Sequence, residues 1–147
     1  MLTIGTDSYI TVAEADSLLK CIDGSNAWFN LDDDKKEFNL RRAAWNIDAL
    51  PLNSYKSSIY QDMQFPRGLE KEVPEQVKLA QALEALMLSD VQSAQRRQLR
   101  TDGITSVTLG SASESYSGNS SRADISLISG EAYKLLRRWI KGSVVIR

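Results

Sequence analysis

Residues 74–97 read PEQVKLAQALEALMLSDVQSAQRR. Pro74 stands at a helix start, where its missing N–H is no loss. Val77, Ala80, Leu83, Leu86, Met87, Val91 and Ala94 then follow at three-and-four spacing. The pattern predicts one long helix from Pro74 to about Arg97. At 1.5 Å per residue it would span on the order of 35 Å, about the diameter of a small domain. Leu79, Ala82, Ala85 and Leu88 widen the apolar arc, so partners are expected on more than one side.

Outward from this stretch, a second start signal lies at Thr11-Val12-Ala13-Glu14. It has the form of a capping box, in which the Thr hydroxyl accepts the N–H three residues on and the Glu reaches back. A helix is predicted from Val12, with Ala15, Leu18, Leu19 and Ile22 inward, ending near Asp23-Gly24. After a loop through Asn26, Trp28 and Phe29, the carboxylates Asp32, Asp33 and Asp34 stand where a helix's positive N-terminus favours them. That helix should run to about Leu50, with Leu40, Ala43, Ala44, Ile47 and Leu50 on one face, Phe38 and Trp45 flanking, and Pro51 ending it. From Leu52 to Val73 the period is lost and a partly packed loop is expected.

Beyond the long helix the composition changes. Residues 101–121 are rich in Ser, Thr and Gly, and Ile104 to Tyr116 reads as two short strands about a Gly-containing turn, a projecting hairpin. A final helix should begin between Ser126 and Ser129, carry Ala132, Leu135, Leu136, Trp139 and Ile140, and stop at Gly142. The tail Val144-Val145-Ile146-Arg147 is apolar and β-prone. The expected fold is therefore mostly α: a small helical bundle around a long central helix, with a β-hairpin-like insertion before the C-terminal helix. One domain is expected over 1–147, comprising a helical core 11–97, a β-like segment 101–121, and the helix and tail 126–147.

Composition narrows the chemistry. At 147 residues the chain can bury a core without staples, and its single cysteine, Cys21, allows no internal disulfide. Cys21 is read as a small buried apolar residue in a reducing, cytosolic setting. No apolar run reaches membrane-spanning length, and the first residues lack a signal-peptide pattern. The chain has no histidine, which removes the usual neutral-pH base and the commonest zinc ligand. No Cys–His pair and no P-loop spacing is present. Asp32, Asp33 and Asp34 lack the alternating spacing of a calcium loop. We therefore expect no enzyme, no cofactor and no metal.

The net charge is −1, unevenly spread. Residues 1–40 hold eight acidic and three basic side chains, whereas residues 101–147 hold four and six. A freely acting nucleic-acid binder usually has a larger basic excess. The tightest basic cluster is Arg96, Arg97 and Arg100; with Arg137, Arg138 and Lys141 it could face nucleic acid, or simply be solvated helix ends. Trp28, Trp45 and Trp139 are read as core, with base stacking as the alternative.

Three separated pieces carry a family likeness. Ser8 to Asp16, SYITVAEAD, resembles the opening of small tailed-phage and prophage head-tail connectors or adaptors. Arg42-Ala43-Ala44-Trp45-Asn46-Ile47-Asp48 is similar to their second-helix pattern, and Gln64-Phe65-Pro66-Arg67 followed by Pro74-Glu75-Gln76-Val77 to their third. The likeness holds in order over residues 8–90 and more loosely over Ser106 to Ile140. It implies a virion protein at the head-tail interface, assembled in the host cytoplasm into a ring, typically of twelve copies. The ring would join the portal to a downstream tail or stopper protein and extend the channel through which genomic DNA passes without sequence readout. No membrane is implied. On this reading Arg137, Arg138, Trp139, Lys141, Val144, Val145, Ile146 and Arg147 dock on the portal. Ile104, Val107, Leu109 and Tyr116 make a ring or tail contact, and Arg96, Arg97 and Arg100 face the DNA channel. Some relatives instead carry the label of a DnaT-like, primosomal single-stranded-DNA-binding protein, which would require a basic groove with stacking aromatics.

Overall fold

The computed structural model describes residues 1–90, 106–109, 112–115 and 127–141. The capping box forms as spelled: Thr11 Oγ1 accepts from the Glu14 N–H at 3.2 Å, and Glu14 Oε2 accepts from the Thr11 N–H at 2.7 Å. These bonds start α1, Val12–Leu19. It closes four residues earlier than the Asp23-Gly24 stop that the sequence suggests, and Gly24 instead takes a left-handed φ of +81° in the turn that follows. Cys21 consequently lies beyond the helical period that would have turned it inward. It is exposed, and the expectation of a buried thiol is corrected.

In the expected loop a single-turn helix forms, α2, Asn26–Phe29, which drives Trp28 fully into the core. Trp28 Nε1 donates to Asp16 Oδ1 at 2.7 Å, and the same oxygen pairs with Lys36 Nζ at 3.2 Å. The Lys36 ammonium stands 5.6 Å from the ring centroids of both Trp28 and Phe29. A cation between two rings and a carboxylate can be buried because each face meets a favourable partner. Asp32 caps α3, Asp33–Asp48, by accepting from the Lys35 N–H at 2.9 Å, and Asp33 and Asp34 occupy the first turn.

The aperiodic segment 52–73 is organised by one buried guanidinium. Arg67 donates to the carbonyls of Asn53, Ser54 and Gln64 at 2.8, 2.6 and 3.2 Å, and to Gln64 Oε1 at 2.7 Å. These bonds add to the segment's own, such as the Ser57 N–H to the Pro66 carbonyl and the Gly68 N–H to the Tyr55 carbonyl, and satisfy three further carbonyls from inside. Gly68 takes a φ of +61°, and a Cβ there would meet Ser54 Oγ at 3.1 Å.

Pro74 precedes α4, Glu75–Ser89. The single helix expected through Arg97 is corrected here: Asp90 turns to extended backbone, with φ −92° and ψ 112°, so α4 has 15 residues. Val91 to Arg97 lie outside the described residues. Even so, α4 is the centre of the bundle and touches α1, α2, α3 and α5, the last being Gly130–Leu136. Its apolar arc serves two cores. Val77 and Ala80 join Ala44, Ile47, Phe65, Leu136, Trp139 and Ile140 on one side. Ala82, Ala85 and Leu86 join Ile10, Leu19, Trp28 and Leu40 on the other. Each fully buried Leu or Ile contributes about 1.5–3 kcal/mol, and the alanines let helices approach closely.

Two polar side chains sit fully buried within this arc, Gln81 and Glu84. Gln81 accepts from the Tyr9 N–H at 3.0 Å and donates to Ser8 Oγ at 2.8 Å and to the Leu40 carbonyl at 2.9 Å. Glu84 accepts from Asn46 Nδ2 at 2.9 Å, from the Ile128 N–H at 3.0 Å and from the Ser129 N–H at 2.8 Å. Glu84 thus holds the entry to α5, whose first turn is capped by Ser129 Oγ accepting from the Ala132 N–H at 3.1 Å. A 3-10 turn, Arg137–Trp139, follows. The chain leaves the helix there, before the expected stop at Gly142, because Ile140 pairs with Leu52 and the Lys141 N–H donates to the Pro51 carbonyl at 2.6 Å.

The fold is mostly helical. Of the Ser-rich segment only two backbone pieces are described, β1, Ser106–Leu109, and β2, Ala112–Ser115, paired antiparallel with Ser106 opposite Ser115. A pair this short is not stable alone, and its flanks lie outside the described residues. The helical body gives the expected hairpin insertion no support.

Replacing Glu84 with Ala removes the acceptor of the Ile128 and Ser129 N–H groups and one acceptor of the Asn46 amide. We expect a loss of about 3 kcal/mol in urea unfolding, and a smaller loss for Glu84→Gln, which keeps one acceptor oxygen. A loss below about 1 kcal/mol for the Ala variant would show that α5 is held by apolar packing alone.

Candidate nucleic-acid interface

α3 carries an apolar stripe and, opposite it, a mixed aromatic and charged one. Leu40, Ala43, Ala44 and Ile47 face α4 and are buried. Phe38, Arg41, Arg42, Trp45 and Asp48 recur at three-and-four spacing on the other side and remain open. Phe38 is 68% exposed and Trp45 70% exposed, so the core reading of Trp45 is corrected. The physical reason is phase: Trp45 follows Ala44 by about 100° around the helix and points away from α4. Trp28 and Trp139 are core.

The open stripe borders a groove of about 370 Å³ lined by Thr6, Phe38, Arg42, Trp45, Asp48 and Met63 among others. The Arg42 guanidinium lies over the Trp45 ring, 5.4 Å from its centroid. Such stacking leaves the cation's edge available to an anion while the ring keeps its other face. Arg41 is further engaged: its Nε donates to Asp7 Oδ2 at 3.0 Å and its Nη2 to the Met1 carbonyl at 2.6 Å. Asp7 also accepts from the Thr3 N–H at 2.7 Å, so the rim near the N-terminus is nearly charge-balanced.

Asp48 lies deeper. It accepts a hydrogen bond from the hydroxyl of Tyr9, which is itself buried and accepts from the Phe65 N–H at 3.3 Å. Burial raises the Asp48 carboxyl above its ordinary value. The hydrogen bonds from Tyr9 and from the Gln64 backbone, and the charges of Lys56 and Arg67, act against that rise without cancelling it. Burial first, then the neighbouring Asp48 charge, raises the Tyr9 phenol well above its usual range, so it stays a donor.

The residues that the sequence singled out fall elsewhere. Arg137, Arg138 and Lys141 are exposed, with Arg138 stacked 4.8 Å from the Trp139 ring centroid. Trp139 itself is only 5% exposed, packs edge-on to Phe65 and donates from Nε1 to Glu70 Oε1 at 3.0 Å, so its ring is held inside. Val107 and Leu109 fall within β1. Arg96, Arg97, Arg100, Ile104, Tyr116, Val144, Val145, Ile146 and Arg147 lie outside the described residues. Asp32, Asp33 and Asp34 serve the start of α3, and among the described residues no group of three or more His, Cys, Asp or Glu could hold a metal ion. Among the described residues no helix is long and apolar enough to cross a membrane. The pairing of Phe38 with Trp45, seven residues apart with two arginines between, was present in the sequence as a signal. Aromatics at helical spacing usually face a core, which hides that signal.

Since Asp48 has a raised pKa in the fold, its charge costs stability above that pKa, and the cost disappears as pH falls through it. The melting temperature of Asp48→Asn relative to wild type should therefore be more favourable at about pH 7 than at about pH 3, below the ordinary carboxyl value, where both states of the wild-type carboxyl approach protonation. A difference that does not change between those limits would mean that the carboxyl titrates at its ordinary value.

The comparison with known families concerns the chain as a whole. No curated protein and no solved structure matches the chain. One family model does, over residues 2–146, nearly the whole chain: it is described as "Putative DnaT-like ssDNA binding protein", and the chain belongs to that family.

Proposed function

We propose that this protein binds single-stranded DNA on the outer face of α3. The observation that carries the reading is Trp45, exposed and backed by the Arg42 guanidinium, with Phe38 two turns earlier on the same stripe. Every base has a π-face, so stacking on such rings is sequence-tolerant and contributes about 1–3 kcal/mol per base. Arg42 and, less freely, Arg41 supply phosphate contacts. Two contacts correspond to a salt slope of only about −1.4 for single strands, far shallower than that of a basic-groove binder. The family description supports this reading, and the acidic excess of the first forty residues fits its low electrostatic share.

Fluorescence anisotropy with labelled single strands tests it. Trp45→Ala should weaken binding by about ten-fold, equivalent to 1.4 kcal/mol. Its unfolding free energy should stay within about 0.5 kcal/mol of wild type, because the ring is a surface group. Absence of binding at low salt, or binding unaffected by Trp45→Ala, would overturn the proposal.

A second reading rests on a different observation. Tyr55, Ile59, Tyr60 and Leu69 project almost fully exposed from the 52–73 segment. Large apolar side chains grouped on one exposed segment mark protein contacts. They favour an assembly subunit, the ring-forming head-tail connector that the sequence resembles, with residues 104–116 and 137–147 proposed as its contacts to tail and portal. Electron microscopy of the protein mixed with the portal of its phage should then show closed rings or an added collar. A protein that stays monomeric and leaves the portal bare would sink this second reading and leave the first in place.

A further inference from the structure

The α3 groove has a floor as well as a stacking wall, and the chemistry of that floor is one-sided. Its half-buried polar groups are Asp7 and Arg41, which pair with each other, and the Asp48 carboxylate, which accepts from the Tyr9 hydroxyl and the Gln64 backbone. A carboxylate offers about four acceptor positions, so two remain for a ligand. The groove's other polar groups have partners within the protein, and Arg42 keeps its outer edge open at the rim. Thr6 Oγ1 donates to Asp62 at 3.2 Å, Asp7 accepts from Thr3 and Arg41, and the Arg42 guanidinium lies on the Trp45 ring at the rim. The groove therefore presents cations at its edge and an acceptor with spare capacity at its base, in a volume of about 370 Å³ within the range of small-ligand sites.

We propose that this floor selects nucleobases carrying an exocyclic amino group, with Asp48 as the specificity-determining acceptor. The inference rests on the stacking reading above: a base laid against Trp45, with its phosphates at Arg42, turns its edge toward Asp48. The N4 amino group of cytosine donates to a carboxylate, whereas thymine presents the O4 carbonyl at the same position. In the register that sets the cytosine N4 at Asp48, two acceptors face each other in the thymine case, and bringing the thymine N3–H to Asp48 instead requires the base to shift on the Trp45 ring. Cytosine and thymine have similar stacking area and backbone, so the floor is what separates them. Strand binders that rely on stacking and backbone flexibility alone show only modest preferences among bases.

The experiment is anisotropy titration of the wild-type protein with oligo-dC, oligo-dT and an oligomer whose cytosine N4 atoms each carry two methyl groups and no hydrogen. We expect dC to bind at least about five-fold more tightly than dT, and the dimethylated oligomer to fall to the dT level. In Asp48→Asn, whose amide can turn either its oxygen or its NH₂ to the ligand, the preference should collapse chiefly through a gain in dT affinity. A merely structural loss would not produce that gain. Equal dC and dT binding by the wild type, with both weakened by Trp45→Ala, overturns the selectivity and leaves the stacking reading standing. Retained tight binding of the dimethylated oligomer also overturns it. Failure of all three oligomers to bind removes the stacking reading and the selectivity together.

Discussion

The structure depends on two buried polar side chains one turn apart on α4. Gln81 and Glu84 lie in the middle of an otherwise apolar arc, both fully buried. Apolar contact is non-directional, so an Ala- and Leu-rich helix could slide or rotate against its neighbours at modest cost. A buried amide and a buried carboxylate remove that freedom, because any other register leaves them unpartnered at about 1–3 kcal/mol each, and more for the charge. Gln81 fixes the Ser8-Tyr9 segment and the middle of α3, while Glu84 fixes Asn46 and the start of α5. Among the described residues no buried side-chain nitrogen or oxygen lacks a partner, so the lock is complete there.

Fixing α3 has a consequence on its far side. With Leu40 and Asn46 tied to α4, the helix cannot turn to cover Phe38 and Trp45. The same lock holds Tyr9 where its hydroxyl reaches Asp48, which draws the N-terminal segment and residues 63–65 into the groove wall. The open aromatic stripe is thus a product of the polar interactions behind it, and a change at Gln81 or Glu84 would reach the groove by rotating α3.

How much of this was legible in the sequence follows from range. The capping box at Thr11 is local and reads correctly from four neighbouring residues, and the helix starts at Asp32 and Ser129 fall where the local sequence marks them. The helical class and the centrality of α4 follow from periodicity. Gln81 and Glu84 look like any polar residues in an amphipathic helix, since their partners stand 38 to 73 positions away. Trp45 and Cys21 were misplaced for a related reason: each sits next to a buried position, and only the exact phase and end of its helix decide which way it faces. The Asp48 and Tyr9 pair, 39 residues apart, has no local signature, so the groove could not be assembled from motifs. The buried role of Arg67 is hidden in the same way, because its carbonyl partners are recruited by loop geometry.

The two exposed faces differ in chemistry, and that difference constrains what each can meet. The α3 face mixes rings, guanidinium and carboxylate, a combination that suits a ligand with flat apolar surfaces, negative charge and hydrogen-bond donors at once. The Tyr55 to Leu69 face offers large apolar groups and a backbone already satisfied by Arg67, which suits a protein surface and gives a phosphate backbone little to hold. Arg67 stiffens that second face from within, so its apolar groups are presented without a large ordering cost on contact. The two proposed functions therefore do not compete for the same residues. A subunit that assembles through the 52–73 segment keeps its α3 stripe free for a strand, and the fold would hold both faces in fixed relation through the Tyr9, Asp48 and Phe65 contacts that join them.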